Sequence, residues 1–318
     1  MEGFKSLSEF FYYPLKFLRV FGCYPVRSCS HKRLLAAWRT FPHAITVFMF
    51  LTFITLAVNL VKNINDVKSV AESFPALWLV FLATLRFNSV MVKRKTLVNL
   101  MMSLSDLIPK TLKEQKQLKI LNHLKSYKQM ERKFIKVVSF SIVVFIAGPF
   151  VRFALTHVWV GELPFKSWSP FDVKHFWPYN FTLLWTVLST TLTAVILLGP
   201  DLILFSLLSV IVMLYETLSQ KLRTLDDFPT TEQFKELVDL VTLHETLTIS
   251  AQTVEEVYTF VNFITFAGSS FNVCLVGYQV SMGVNSDLFF RYFLLLTSTL
   301  LQLLMLCYFG NNLKTASQ

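Results

Sequence analysis

Residues 181–222 read FTLLWTVLSTTLTAVILLGPDLILFSLLSVIVMLYETLSQKL, and how this stretch is divided decides the fold. Phe181 to Leu198 is long and apolar enough to cross a bilayer, which takes roughly 20 such residues. Gly199-Pro200-Asp201 then interrupts, and a second apolar run follows from Leu202 to Leu214. If that run crossed as well, every later loop would change sides. It is too short: its helix would reach only about 20 Å against a core of about 30 Å. Proline is tolerated as a kink inside one long membrane helix. Tyr215, Leu218 and Leu222 continue the apolar face at helical spacing. The expectation is a single helix over 181–215 that projects beyond the membrane.

Five further spans are expected on either side, at 41–61, 74–92, 137–157, 257–283 and 292–310, with Arg86 and Arg152 inside the second and third. The whole chain, 1–318, then reads as one all-α polytopic bundle of six spans. Composition agrees: 53% of residues are apolar, 16% are charged and 32 are Phe, and mean hydropathy is +0.51, whereas soluble domains carry about 25% charged residues. The net charge of +10 need not mean nucleic acid, because basic residues collect in loops held in the cytoplasm. With six spans, 23 Lys and Arg fall in the N-terminal segment 1–40, the 93–136 and 217–256 loops and the C-terminus, against 5 in the other three loops. A cytoplasmic N-terminus follows. No cleavable leader is expected ahead of the first span, which would serve as its own insertion signal. The four cysteines suggest no disulfide framework.

The basic loops carry helical signals. Leu97, Leu100, Met101, Leu104 and Ile108 recur at i, i+3, i+4, i+7 and predict an amphipathic helix ending near Pro109. Leu118, Leu121 and Leu124 continue an apolar stripe among lysines, as in a solvated helix against anionic headgroups. Thr230 with Gln233 forms a capping box, and the helix it opens is expected to run into the fifth span. Its face of Phe234, Leu237, Val238 and Val241 calls for a partner, either the projecting fourth helix or a neighbouring subunit. At the other end of the chain, Gly310 and Asn311 suit a helix exit and Lys314 suits the helix's negative end. The sixth span is therefore expected to stop near residue 313.

No phosphate-binding glycine loop, nucleophile elbow or H-E-x-x-H pair is present, so an enzyme is not expected, nor a cofactor or metal. Arg86, Arg152 and Asp201 are read as snorkelling or structurally paired charges. In the outer halves of the spans, aromatics with a few hydroxyls suit a small apolar ligand, by stacking area and one or two orienting hydrogen bonds. The candidates are Trp78 and Phe81 on the second span, Phe145, Gly148, Phe150 and Phe153 on the third, Trp185 and Thr186 on the fourth, and Tyr278 on the fifth. Aromatic side chains facing lipid are the ordinary alternative.

Several segments resemble the insect odorant receptor family. They are Leu15–Pro25, with its Gly22 and Pro25; the outer loop Leu163–Asp172; Asp201 followed by Leu218, Ser219 and Leu222; and Cys307-Tyr308-Phe309-Gly310-Asn311-Asn312-Leu313 with Ser317. In the last, Tyr308, Gly310, Asn311 and Ser317 match the start of the family's C-terminal signature. The resemblance implies a subunit that binds a small volatile odorant and gates a non-selective cation channel with a shared co-receptor, as a tetramer in the plasma membrane of a sensory dendrite. It also implies a pore-lining seventh helix, whereas the sequence ends at Gln318, so no pore residue is assigned. The stretch between the fourth and fifth spans is about forty residues, which favours a tuning subunit over the co-receptor. A gustatory receptor would carry a different end motif. A non-channel membrane protein, either a transporter or a structural subunit, is the other alternative; a transporter would show inverted repeats and broken helices, of which only Gly199-Pro200 gives a hint.

Overall fold

A computed structural model describes residues 11–23, 32–109, 120–156, 175–225, 230–281 and 286–318, with parts of 163–171. Among the described residues the protein is all-helical: α1 (Tyr12–Val20), α2 (Lys32–Lys62), α3 (Val67–Asp106), α4 (Ile120–Thr156), α5 (Phe176–Arg223), α6 (Thr230–Ser281) and α7 (Ser286–Ser317). Five of these, in α2, α3, α5, α6 and α7, are long and apolar enough to cross a membrane. The expected third span, 137–157, falls in α4, which is not among those five. The side chains of α4 from Pro149 onward, Arg152 included, lie outside the description.

α5 is the mast of the bundle. Its 48 residues make a helix about 72 Å long, more than twice the thickness of a bilayer core. Pro200 sits inside it without breaking it. α5 packs against all six other helices. The apolar window of α5 is 72% buried, whereas those of α2 and α7 are 22% buried. Peripheral helices bury one side and turn the other outward, and the outward faces here, such as Val47, Phe50 and Ile54 on α2 and Leu300 and Leu304 on α7, are apolar. Such faces suit lipid.

The densest core lies toward the end of the bundle that carries the basic loops, called the basic end below. There α5 contributes an unbroken buried run, Leu202 to Leu208. Phe205 stacks on Phe309 of α7 at 5.1 Å and meets Phe134 of α4 edge-on at 5.8 Å. α3 runs unbroken from the span to Asp106, and its stripe of Leu97, Leu100, Met101 and Leu104 is buried in this core. Leu124 of α4 packs on the same core, with Ile120, Tyr127 and Phe134 buried beside it. The α3 stripe and Leu124 are therefore packed in the core rather than laid on headgroups, because the long α5 supplies apolar surface beyond the bilayer. Leu118 and the side chain of Leu121 lie outside the described residues.

α6 starts at Thr230 and continues into the span without a break. Beyond the bilayer it lies along α5: Tyr215 Oη is 3.3 Å from Thr248 Oγ1, and Lys221 Nζ is 3.6 Å from Glu236 Oε1. The residues it buries there include Leu240, Leu247, Ser250 and Val254; Phe234, Leu237, Val238 and Val241 stay exposed. That stripe is thus not the face turned to α5.

α7 corrects the expected helix exit. It continues through Gly310 and Asn311 to Ser317. One glycine costs a helix about 1 kcal/mol, and Leu313 and Ala316 pack against the core beyond it, which offsets that cost. Cys23, Cys274 and Cys307 are free thiols; Cys29 lies outside the described residues, as do Tyr24 and Pro25.

α1 docks on α5. Phe17 lies directly over Gly199: a Cβ added there would be 2.1 Å from the phenyl ring. Phe17 and Phe21 pair at 4.7 Å, and Phe21 meets Phe87 of α3 at 5.9 Å.

Candidate functional site

At the end opposite the basic loops, aromatic side chains converge at one depth. Trp78, Trp185 and Phe271 lie about 13–17 Å from the far terminus of their helices, at 1.5 Å per residue. Phe74, Trp78 and Phe81 share one face of α3 at spacings of four and three. Trp78 contacts Phe81 at 5.5 Å and Phe271 of α6 at 5.2 Å; Phe74 reaches Phe271 at 5.4 Å and Phe81 reaches Phe53 of α2 at 6.0 Å. Gly268 makes this approach possible. A Cβ there would be 2.5 Å from Leu82 and 3.2 Å from Trp78 Nε1, which donates to the Gly268 carbonyl at 3.4 Å.

A second group joins α2 to α5. Phe48 and Trp185 pack at 4.5 Å. One turn further along α5, Ser189 Oγ is 3.2 Å from Thr52 Oγ1, both fully buried. Thr186 is fully buried and donates to the Leu183 carbonyl. The Trp185 indole nitrogen, a donor, is buried without a hydrogen-bond partner, and so on α6 is Asn272 Oδ1, an acceptor. Trp168 packs on α2: its backbone N–H donates to the Thr55 carbonyl at 3.2 Å, and Lys62 Nζ sits 4.9 Å from its ring.

Of the residues expected from the sequence, the fold brings Trp78 and Phe81 together and seats Trp185 and Thr186 on α5. Phe145 and Gly148 are half-buried on α4. The side chains of Phe150 and Phe153 lie outside the described residues. Tyr278 is 43% exposed. Phe48, Phe53, Phe74 and Phe271 are additional members that sequence reading missed. Their signal was present only as phenylalanines at matching depth in separate spans, too common a residue here to single out. At the basic end, Tyr308 is half-exposed and edge-on to Phe309 at 5.4 Å, while Gly310, Asn311 and Ser317 are exposed.

Two buried polar clusters lie below the aromatics. In the first, Arg86 of α3 pairs with Asp201 Oδ1 of α5, and Gln302 Nε2 of α7 donates to Oδ2 at 2.7 Å. Tyr258 of α6 donates to the Pro200 carbonyl at 3.1 Å. The expected structural pairing of these charges is what the fold contains. In the second, at the basic end, Glu131 of α4 is 3% exposed. Its Oε1 accepts from Tyr127 Oη at 2.9 Å, and Ser206 Oγ of α5 is 2.7 Å from that hydroxyl. Burial pushes the Glu131 carboxyl up to about 7, against the weaker opposing pull of the Tyr127 hydroxyl, Lys128 and Arg132. Among the described residues, no group of His, Cys, Asp and Glu is placed to hold a metal ion.

The 7tm odorant receptor family model matches residues 66–318. This chain belongs to the odorant receptor family. Among its Drosophila melanogaster relatives, odorant receptor 67c is 22% identical, over 98% of this chain and 80% of its own length; odorant receptor 67a is 24% identical, over 100% and 81%. The fold is that of the insect olfactory receptor OR5 from Machilis hrabei, with a TM-score of 0.78 at 14% identity over 98% of this chain and 81% of that one. The same receptor in complex with eugenol gives a TM-score of 0.80 at 16% identity, over 95% and 79%. The protein is thus an odorant receptor by family and a membrane helix bundle by fold.

Proposed function

We propose that this odorant receptor is the ligand-tuning subunit of a non-selective cation channel, binding a small, mainly apolar volatile in the outer half of its bundle. The observation that carries this reading is the cluster of Trp78, Phe81 and Phe271, with a second cluster of Trp185 and Phe48, in a chain of this family. Aromatic walls supply stacking area, and the buried, unpartnered Trp185 N–H is a handle with which such a site orients a ligand that carries one polar group. The basic end faces the cytoplasm, and the protein is multi-pass in the plasma membrane of a sensory dendrite. The exposed stripe of Phe234, Leu237, Val238 and Val241 supports assembly with a second subunit, a co-receptor in a hetero-tetramer, because an apolar face outside the bilayer favours burial.

The full natural reading frame, expressed with the co-receptor and recorded across an odorant panel, tests this. Trp78→Ala and Trp185→Ala are expected to raise the half-maximal concentration of an active odorant by ten- to a hundredfold. That corresponds to about 1–3 kcal/mol for a lost aromatic contact. Unchanged dose-response curves for both variants, at normal surface levels, would place the ligand elsewhere.

A further inference from the structure

Asp201 is where α3, α5 and α7 are tied by side chains, and its carboxylate is used on both oxygens. Arg86 takes Oδ1 and the Gln302 amide takes Oδ2. The two partners are not equivalent. Arg86 supplies the countercharge to a fully enclosed carboxylate, and a buried charge left alone is strongly destabilising. Gln302 supplies a single hydrogen bond. If Gln302 withdraws, Asp201 remains neutralised by Arg86, whose Nε is buried without a partner and is a donor in reserve. One contact is therefore a lock, and the other can open without exposing an unpaired charge.

The rest of α7 makes Gln302 the point that matters. The hydroxyls of Thr297, Ser298, Thr299, Thr315 and Ser317 turn back onto α7's own carbonyls. Among the described residues, Gln302 is the polar side chain of α7 recorded as hydrogen-bonded to another helix. The remaining grip comes from apolar side chains such as Met305 and Phe309, and apolar contact is non-directional. α7 is also among the least enclosed helices, lying on the most enclosed one, α5. On α7, then, one directed side-chain bond fixes the register against α5, and the apolar contacts around it do not.

We propose that Gln302 is a positioning residue: through Asp201 it holds α7 in the resting register of the ligand-free receptor, and the change a ligand brings about releases this bond. The proposal rests on the receptor reading above. Odorant binding among the aromatics of α3, α5 and α6 then needs only to favour the released register, by the difference in its affinity for the two.

The test uses the full natural reading frame. In cells with the co-receptor, Gln302→Leu is expected to raise ligand-free current and lower the half-maximal odorant concentration about tenfold. Gln302→Asn, with the amide one methylene short, should shift both in the same direction by less. Gln302→His, which keeps an N–H donor, should restore resting behaviour. Unchanged ligand-free current and half-maximal concentration in Gln302→Leu at normal surface level would overturn the proposal. So would a raised half-maximal concentration with unchanged ligand-free current. Independently of current, hydrogen exchange of the purified protein in lipid nanodiscs should quicken over 303–317 in Gln302→Asn and Gln302→Leu and stay unchanged over 202–218; equal exchange over 303–317 would show that Gln302 does not hold α7. A wild-type protein giving no odorant-evoked current at all would sink the receptor reading alone, and the exchange experiment would still decide the role of Gln302.

Discussion

Glu131 is a carboxyl buried beside a hydroxyl rather than a cation. Its folded value, about 7, lies above the ordinary 4.5. Between those values the folded protein holds a proton that the unfolded chain has released, so stability falls as pH rises through that window. The apparent melting temperature of the solubilised protein is therefore expected to decline from pH 5 to pH 8. Glu131→Gln, which stays neutral and keeps an acceptor for Tyr127, should flatten the decline and melt higher at pH 8. An unchanged slope in the variant would show that another group dominates. Sequence reading passed over Glu131, since one Glu among the lysines of 116–136 looks like part of a solvated face. Arg86 and Asp201 were different. A charge inside an apolar run must find a partner, so their being paired was legible, but that they pair with each other was not.

At the scale of the element, helix continuity was read most reliably. Pro200 lies within one helix because the apolar run after it is too short to cross again, and α5 is that single helix. Helix ends were less legible. Gly310-Asn311 looked like an exit by local preference, and tertiary packing of Leu313 and Ala316 overrode it. The docking of α1 was invisible, because nothing in Phe17 or Gly199 names the other. That contact makes a prediction. Gly199→Ala forces the Phe17 ring aside, and overpacking of this kind costs about 1–3 kcal/mol. A lower melting temperature is expected, recovered in part by adding Phe17→Leu. If Gly199→Ala melts like the wild type, α1 is not packed there.

For the whole molecule, the distribution of 23 basic residues on one side and 5 on the other predicts a cytoplasmic N-terminus. An epitope placed before Met1 is expected to stain only in permeabilised cells; staining of intact cells would invert the topology. The sequence by itself determined the class of the protein and its family resemblance, because twenty-residue apolar runs have one stable state in lipid, a helix with its backbone internally bonded. It also shows aromatics recurring within the expected spans. Only the tertiary structure decided which of them meet. Trp78 finds Phe271 across 193 positions because Gly268 lets α3 and α6 approach closely. Trp185 instead packs on Phe48 of α2. The same holds for the Arg86, Asp201 and Gln302 node and for the exposed stripe on α6. Helical periodicity fixes which residues share a face, but in a bundle of long helices the rotation and depth of each helix are set by side-chain fit between neighbours, and that is a property of pairs of helices.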